Sequence, residues 1–367
     1  MKITEVEIFE YNIPMDPFVI ALGTLYEVNN ILIKIHTDAG IIGYGEGSPF
    51  PFIVGETQGT CIALAKDFAT IWKGKDPLAI EDRMLELNQY VPHNTTVKST
   101  FDMALYDIAA QHAQQPLYAF LGGKKRTLQT DETIVIGTAA EMAIKAVKLK
   151  QEGAPFLKLK LGKGNNIEAD LERIRAVRTA IGNEIPLRLD ANQGWSVENA
   201  IRILTTLKND NIELCEQPVL HHDYEGLKQI SDAVIIPVVG DEACFNSIQA
   251  KQLIKLKACK FFNVKLSKSG GILEAMKIAK LSGEAGMECM LGGMIESKLA
   301  LTANAHLACA FDHFKYFDLD LCFPHKIDPV VGGVTFENKY TLHLPDVPGL
   351  GATVEETFLN KCKKYTI

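Results

Sequence analysis

Eight short apolar runs recur between residues 132 and 320, separated by roughly 10–15 residues of helical pattern. They fall at 132–136, 156–161, 186–190, 212–216, 235–241, 261–266, 287–292 and 314–320. Strands alternating with helices pair in parallel through crossovers, and eight of them predict an α/β fold with a (β/α) barrel. A doubly wound open sheet is the alternative, but no Gly-x-Gly-x-x-Gly follows any of these runs. The first 125 residues have another pattern. Short strands at 3–11, 30–37 and 41–46 form a meander. Helices follow near 57–73 and 97–114, the second closed by Leu-Gly-Gly at 121–123. The glycine-rich stretches at 43–47 and 269–271 read as turns and caps. From about 335 the chain has strand and turn character with no matching helix, so it is expected to pack back on the N-terminal module. The division is therefore an α+β module over 1–125, a barrel over 126–335 and a returning segment over 336–367.

A charged side chain in an apolar strand is costly unless it faces a solvated or functional cavity. Here the anomaly repeats at or near strand C-termini: Lys158 and Lys160, Asp190, Glu216, Asp241, Lys265, then Asp318 and Asp320. Successive spacings from Lys160 to Lys265 are 30, 26, 25 and 24 residues, each about one strand–helix unit. In a barrel this returns every residue to the C-terminal rim, where such folds do chemistry.

Asp190, Glu216 and Asp241 on adjacent strands would repel unless a cation sat between them. All-oxygen ligation points to Mg²⁺, with Mn²⁺ as the nearest substitute; Zn²⁺ would want His or Cys, and no His falls on these strand ends. His221-His222 reads as surface. Lysines flank the trio on both sides, and like charge and desolvation are expected to lower a lysine pKa toward that of a usable base. A substrate carboxylate on the metal acidifies its α-proton, one lysine removes it, and the metal stabilises the resulting enolate. A second lysine on the opposite face returns the proton from the other side, which is epimerisation. A β-leaving group would turn the same enolate toward elimination.

Composition narrows the partners. A net charge of −7 without a basic cluster argues against nucleic acid and anionic membranes. No apolar run approaches the ~18 residues of a membrane span. The alternating start MKITEVEIFE is not a signal-peptide pattern, and eight scattered cysteines without a Cys-x-x-Cys pair look like reduced thiols, so a cytoplasmic location is expected.

FLKLKLG (156–162), LRLDANQGW (187–195), CEQP (215–218), GDEA (240–243) and NVKLSKSGG (263–271) closely resemble the muconate-lactonising-enzyme subgroup of the enolase superfamily. The resemblance spans nearly the whole chain, including GYGEGSP (43–49), which is similar to that family's capping domain. It implies a modified TIM-type (β/α)7β barrel capped by 1–125, completed by the C-terminal tail. It also implies metal ligands Asp190, Glu216 and Asp241, acid/base Lys160 and Lys265, and Lys158 assisting at the enolate. FDLDL (317–321) resembles the Asp-x-Asp motif of the dipeptide epimerases, in which Asp318 and Asp320 would grip the N-terminal ammonium of a dipeptide. By the same resemblance Thr133 and the backbone at Gly293 and Ile295 line the dipeptide. Barrels of this family often form homo-oligomers. The pathway it implies is peptidoglycan-fragment metabolism.

One departure bears on substrate. Members acting on Ala-Glu look to carry an arginine in the first capping loop, whereas the matching stretch here is ALGTLYEV (21–28), with Gly23 or a neighbour at that position. Residues 12–30 hold only Asp16 and Glu27 as charged groups, among Phe18, Leu22, Leu25 and Tyr26. A glutamate side chain would be left desolvated and unpaired, at a cost of several kcal/mol. The expected substrate is thus Ala-X with X small or apolar (D-Ala-D-Ala, Ala-Val, Ala-Leu, Ala-Met). The loop at 49–54 adds apolar wall. A cationic X favoured by Asp16, Glu27 or Glu56 stays open, as do an L-Ala-D/L-Glu epimerase and an o-succinylbenzoate synthase-like lyase or cycloisomerase.

Overall fold

A computed structural model describes residues 1–367. The N-terminal module begins with a long hairpin, β1 (Ile3–Ile20) and β2 (Gly23–Thr37), and continues into β3 (Ile42–Gly47). Its helices are α1 (Gln58–Trp72), α2 (Ile80–Tyr90) and α3 (Thr95–His112). The expected strands at 3–11 and 30–37 are therefore only the base of the hairpin. Pro14, Asp16 and Pro17 interrupt the alternation, and the structure absorbs them in a register shift between Pro14 and Phe18. Two residues, Ala21 and Leu22, turn the tip, and the Val19 carbonyl accepts from Ile136 at 3.1 Å, anchoring the hairpin to the first barrel strand. Helix α2 buries only Met84 and Leu87, an apolar stripe too thin to stand out in the sequence. Helix α3 stops at His112, and Leu-Gly-Gly follows a separate short turn at Leu117–Phe120.

The glycines at 43, 45 and 47 are strand residues rather than turns. They share one face of β3, and α3 lies directly on it: a Cβ at these positions would overlap the Ala104 carbonyl, the Thr100 carbonyl and the Thr100 hydroxyl. Gly45→Ala drives a methyl into helix backbone and is expected to destabilise the fold by roughly 1–3 kcal/mol. A urea melt matching the wild type would contradict this packing.

The eight apolar runs form β4 (Glu132–Ile134), β5 (Leu157–Lys160), β6 (Leu187–Asp190), β7 (Ile212–Glu216), β8 (Val238–Gly240), β9 (Phe261–Lys265), β10 (Cys289–Gly292) and β11 (Phe314–Phe317). They pair in chain order, all parallel. The outer strands meet where the Asp131 amide donates to the Phe317 carbonyl at 3.4 Å. Seven helices fill the crossovers: α4 (Ala139–Gln151), α5 (Ile167–Ile181), α6 (Val197–Thr206), α7 (Tyr224–Ala233), α8 (Ser247–Leu256), α9 (Ile272–Glu284) and α10 (Lys298–Ala310). No crossover helix packs after β11, and the tail beyond it holds only a single helical turn at Glu356–Leu359, so the architecture is (β/α)7β. Helix starts are set locally. Thr138 and Glu141 form a capping box on α4, and Ser196 accepts from the Asn199 amide on α6. The tail returns to the N-terminal sheet, where β12 (Lys364–Thr366) pairs antiparallel with Glu7–Phe9 of β1. No helix is long and apolar enough to cross a membrane, and all eight cysteines are unpaired.

Candidate active site

Parallel register brings the rim charges together. Lys160 stands beside Asp190 on β5 and β6, and Asp190 beside Glu216 on β6 and β7. Asp241 follows β8 directly, and Lys265 ends β9. Asp190, Glu216 and Asp241 are wholly buried, with lysines interleaved among them. Lys160 Nζ lies 2.6 Å from Asp190 Oδ2, and Lys265 Nζ lies 2.7 Å from Asp241 Oδ2. Lys158 Nζ sits at 3.1 Å from Asp190, 2.7 Å from Glu216 and 2.7 Å from Asp318.

This pairing reverses the expected lysine titration. Burial lowers the pKa of Lys158 and Lys265. Asp318, Glu216 and Asp190 around the first, and Asp241 and Glu216 around the second, outweigh burial and hold both above the usual lysine value. The carboxylates divide. Burial raises Asp190, but Lys160 and Lys158 outweigh it and bring it down to about 2. Burial and the neighbouring Asp190 push Glu216 up to about 7.

Several supporting groups were not singled out in the sequence. Lys268 lies three residues past Lys265 within the same motif. Its buried Nζ donates to Asp241 Oδ1 and to the Asp241 carbonyl, both at 2.5 Å, and to the Asn263 carbonyl at 2.8 Å. Gln217 accepts from the Asp241 and Ala243 amides, both at 3.0 Å. Backbone just past β6 and β7 is left-handed at Asn192 (φ 39°) and Gln217 (φ 33°), a costly conformation held only where the surroundings enforce it. Asn192 Oδ1, Glu242 Oε2 and Asn263 Oδ1 are buried acceptors without a hydrogen-bond donor. Three carboxylates ringed by unpaired oxygens form a hard, all-oxygen donor set, which suits a divalent cation of the Mg²⁺ type.

Across the mouth lies a second acidic group. Strand β11 ends at Phe317, so Asp318 and Asp320 sit just beyond it rather than on it. Their carboxylate oxygens and those of Asp131 lie within 4.8 Å of one another. Each already has a hydrogen-bonding partner: Lys158 on Asp318, the Thr133 amide on Asp320 at 2.6 Å, and Arg188 on Asp131 at 2.9 Å. Asp131 Oδ1 is a fully buried oxygen without a hydrogen-bond donor. Asp131 escaped the sequence reading because it precedes its strand instead of ending it.

A small cavity at the mouth is lined by Lys160, Lys265, Thr133, Asn192, Asp318 and Asp320, and the carboxylates of Asp190, Glu216 and Asp241 lie outside its lining. Its apolar wall comes from Phe18 and Ile20 of the hairpin, Phe50 and Ile53 of the expected loop, and Met294 and Leu321. Gly293 lines it as well. Ile295 does not: its amide donates to Ser48 Oγ at 3.4 Å and its carbonyl accepts from Asn30 at 3.1 Å, so its backbone is committed to the N-terminal module. Tyr26 is 73 % exposed and lines none of the cavities described, because it falls on the outer face of the hairpin. His221 and His222 are exposed, as the sequence suggested. No arginine reaches this cavity, and a Cβ at Gly23 would overlap the Phe52 ring.

Residues 3–122 match the mandelate racemase / muconate lactonizing enzyme N-terminal domain, and residues 141–358 match the enolase C-terminal domain-like family. The chain belongs to the enolase superfamily. Within it, this sequence is 43 % identical to the D-Ala-D/L-Ala epimerase of Cytophaga hutchinsonii over 100 % of both chains. A solved dipeptide epimerase from that organism, complexed with Mg and D-Ala-L-Val, superposes with a TM-score of 0.98, covering 100 % of both chains. The hydrophobic dipeptide epimerase of Enterococcus faecalis is 40 % identical over 96 % of this chain and 99 % of its own. The L-Ala-D/L-Glu epimerase of Clostridium acetobutylicum is 39 % identical over 96 % of this chain and 98 % of its own. The superfamily member described here is accordingly an enzyme of the isomerase class.

Proposed function

We propose that this enzyme is a Mg²⁺-dependent dipeptide epimerase that inverts the α-carbon of the C-terminal residue of Ala-X, with X small or apolar. The observation that carries the reading is the placement of Lys160 and Lys265 on opposite sides of the buried carboxylate trio, facing an acidic group that suits an ammonium. Asp190, Glu216 and Asp241 would hold the Mg²⁺. When bound, it supplies positive charge that acidifies the substrate's α-proton.

The remaining steps belong to the protein. Asp318 and Asp320 hold the N-terminal ammonium and so place the second α-carbon between the two lysines. A cation on the trio would offset the carboxylate charge that holds Lys265 protonated; one lysine Nζ, in its neutral form, then takes the α-proton while the C–H electron pair moves toward the carboxylate. The other, protonated, delivers its proton to the opposite face of the same carbon. Lys158, kept charged by its carboxylate neighbours, stabilises the negative charge that develops. Phe18, Ile20, Phe50 and Ile53 exclude water from the reacting carbon and offer X an apolar surface.

Three things support the substrate class: the cavity without arginine, the Phe52 ring filling the space beside Gly23, and the small apolar dipeptide bound by the Cytophaga hutchinsonii enzyme. Dipeptides incubated with enzyme and Mg²⁺ in D₂O are expected to gain one deuterium at the α-carbon of Ala-Ala, Ala-Val and Ala-Leu, and none in Ala-Glu. Exchange in Ala-Glu alone would overturn the pocket reading and keep the chemistry. No exchange in any dipeptide would remove the epimerase assignment.

A further inference from the structure

Behind Asp318 and Asp320 lies a third carboxylate with no part in the steps above. Asp131 is fully buried and does not line the cavity, yet its carboxylate comes within 4.8 Å of both others. Three carboxylates this close repel one another unless cations or a proton intervene.

Relief is uneven among them. Lys158 Nζ stands 2.7 Å from Asp318. Arg188 donates to Asp131 Oδ2 at 2.9 Å, but it is shared with Glu213 at 2.6 Å and with the Phe317 carbonyl at 2.8 Å. Asp131 Oδ1 has no donor at all. Asp320 accepts from the Thr133 amide at 2.6 Å and touches no lysine or arginine, while Glu132 adds negative charge nearby. The unrelieved charge therefore falls on Asp131 and Asp320. Burial, reinforced by Asp318, raises both carboxyls, Asp320 to about 7, whereas Lys158 outweighs burial at Asp318 and keeps it low.

We propose that Asp131 is a positioning residue for the substrate ammonium: together with Asp320 it carries one proton while the socket is empty, and the arriving ammonium displaces that proton to solvent. The proposal rests on the reading of Asp318 and Asp320 as the ammonium socket. The O–H bond breaks with its electron pair left on the carboxylate, so one positive charge replaces another and the two acids titrate as a unit. Asp131 acts through Asp320 and not on the substrate. An uncharged N-terminus has nothing to put in the proton's place.

Ala-Gly is a suitable probe, because inversion at glycine returns the same molecule. At pH 6 its amine is already charged, since such groups titrate near ~8. Titrated into Mg²⁺-saturated enzyme at pH 6 in buffers of different ionisation heat, Ala-Gly is expected to release about one proton per site. Difference infrared spectra should lose the carbonyl stretch of a protonated carboxylic acid, and N-acetyl-Ala-Gly should leave that band in place. In Asp131→Asn, the rise of the Ala-Ala KM with falling pH should begin about one pH unit or more lower than in the wild type, and proton release at pH 6 should fall by about half or more. Asp131→Glu should restore both. A purely structural role would weaken binding equally at every pH and move neither.

Ala-Gly bound by the wild type without proton release or loss of the acid band would overturn the shared proton and leave the epimerase reading standing. A KM profile in Asp131→Asn that keeps the wild-type midpoint would take Asp131 out of the unit. N-acetyl-Ala-Gly bound as tightly as Ala-Gly would remove the ammonium socket, and the parent reading with it.

Discussion

Lys160→Ala and Lys265→Ala are each expected to lower the rate of epimer interconversion by about 10²–10⁴-fold, and to do so asymmetrically. Inversion needs both lysines, one to take the α-proton and one to return it from the other face, so either loss blocks the full cycle. Abstraction alone needs only one. Each variant should therefore still wash deuterium into one substrate epimer while leaving the other inert, and the two variants should spare opposite epimers. Both side chains are buried and paired, to Asp190 at 2.6 Å and Asp241 at 2.7 Å. Circular dichroism and Mg²⁺ titration should accompany the exchange assay, to separate lost chemistry from a disturbed carboxylate trio. Full interconversion from both epimers in either variant would overturn the two-lysine mechanism. Loss of exchange from both epimers in both variants would mean that the lysines act as one unit rather than as two faces.

Asp320→Asn is expected to raise the dipeptide KM by roughly 30-fold or more, since it removes one partner of a buried charge pair, while half-saturation by Mg²⁺ moves little. Asp320 is reached by Asp318, Asp131, Glu132 and Lys158, and it accepts from the Thr133 amide. Burial, reinforced by Asp318, pushes its carboxyl up to about 7. The sign follows. Above that value the carboxylate pairs with an ammonium; as pH falls through it, protonation removes the charge and binding weakens. In the wild type, KM should thus climb as pH drops from about 8 to about 6, and the asparagine variant should lose this dependence. Equal shifts in dipeptide and Mg²⁺ affinity, or a wild-type KM flat across that range, would remove the ammonium role from Asp320.

Much of the barrel was legible because its repeat is long and its anomalies are chemical. Charged residues at 24- to 30-residue intervals in apolar runs had to share one rim, and the structure brings Lys160, Asp190, Glu216, Asp241 and Lys265 together there. The hairpin was less legible. Two prolines and an aspartate hid strand residues 12–20, although those residues carry Phe18 and Ile20 over the mouth. The same pattern-based view misassigned the glycines of β3, whose small size answers to α3, a partner more than fifty residues away.

Periodicity and residue type alone set the strand–helix alternation of a barrel, the rim on which the charges gather and the all-oxygen character of the carboxylate trio, whereas the missing last helix was legible only through the family resemblance. How those charges titrate was set by contacts between strands far apart in the chain. Whether Lys158 and Lys265 are lowered by burial or raised by carboxylates depends on distances of about 3 Å between different strands, and local pattern does not encode them. Tertiary packing also turned the Ile295 backbone away from the cavity and left Tyr26 in solvent. It added Lys268 and Asp131 to the two acidic groups. Each of these outcomes depends on which faces of separate elements meet, and folding alone sets that.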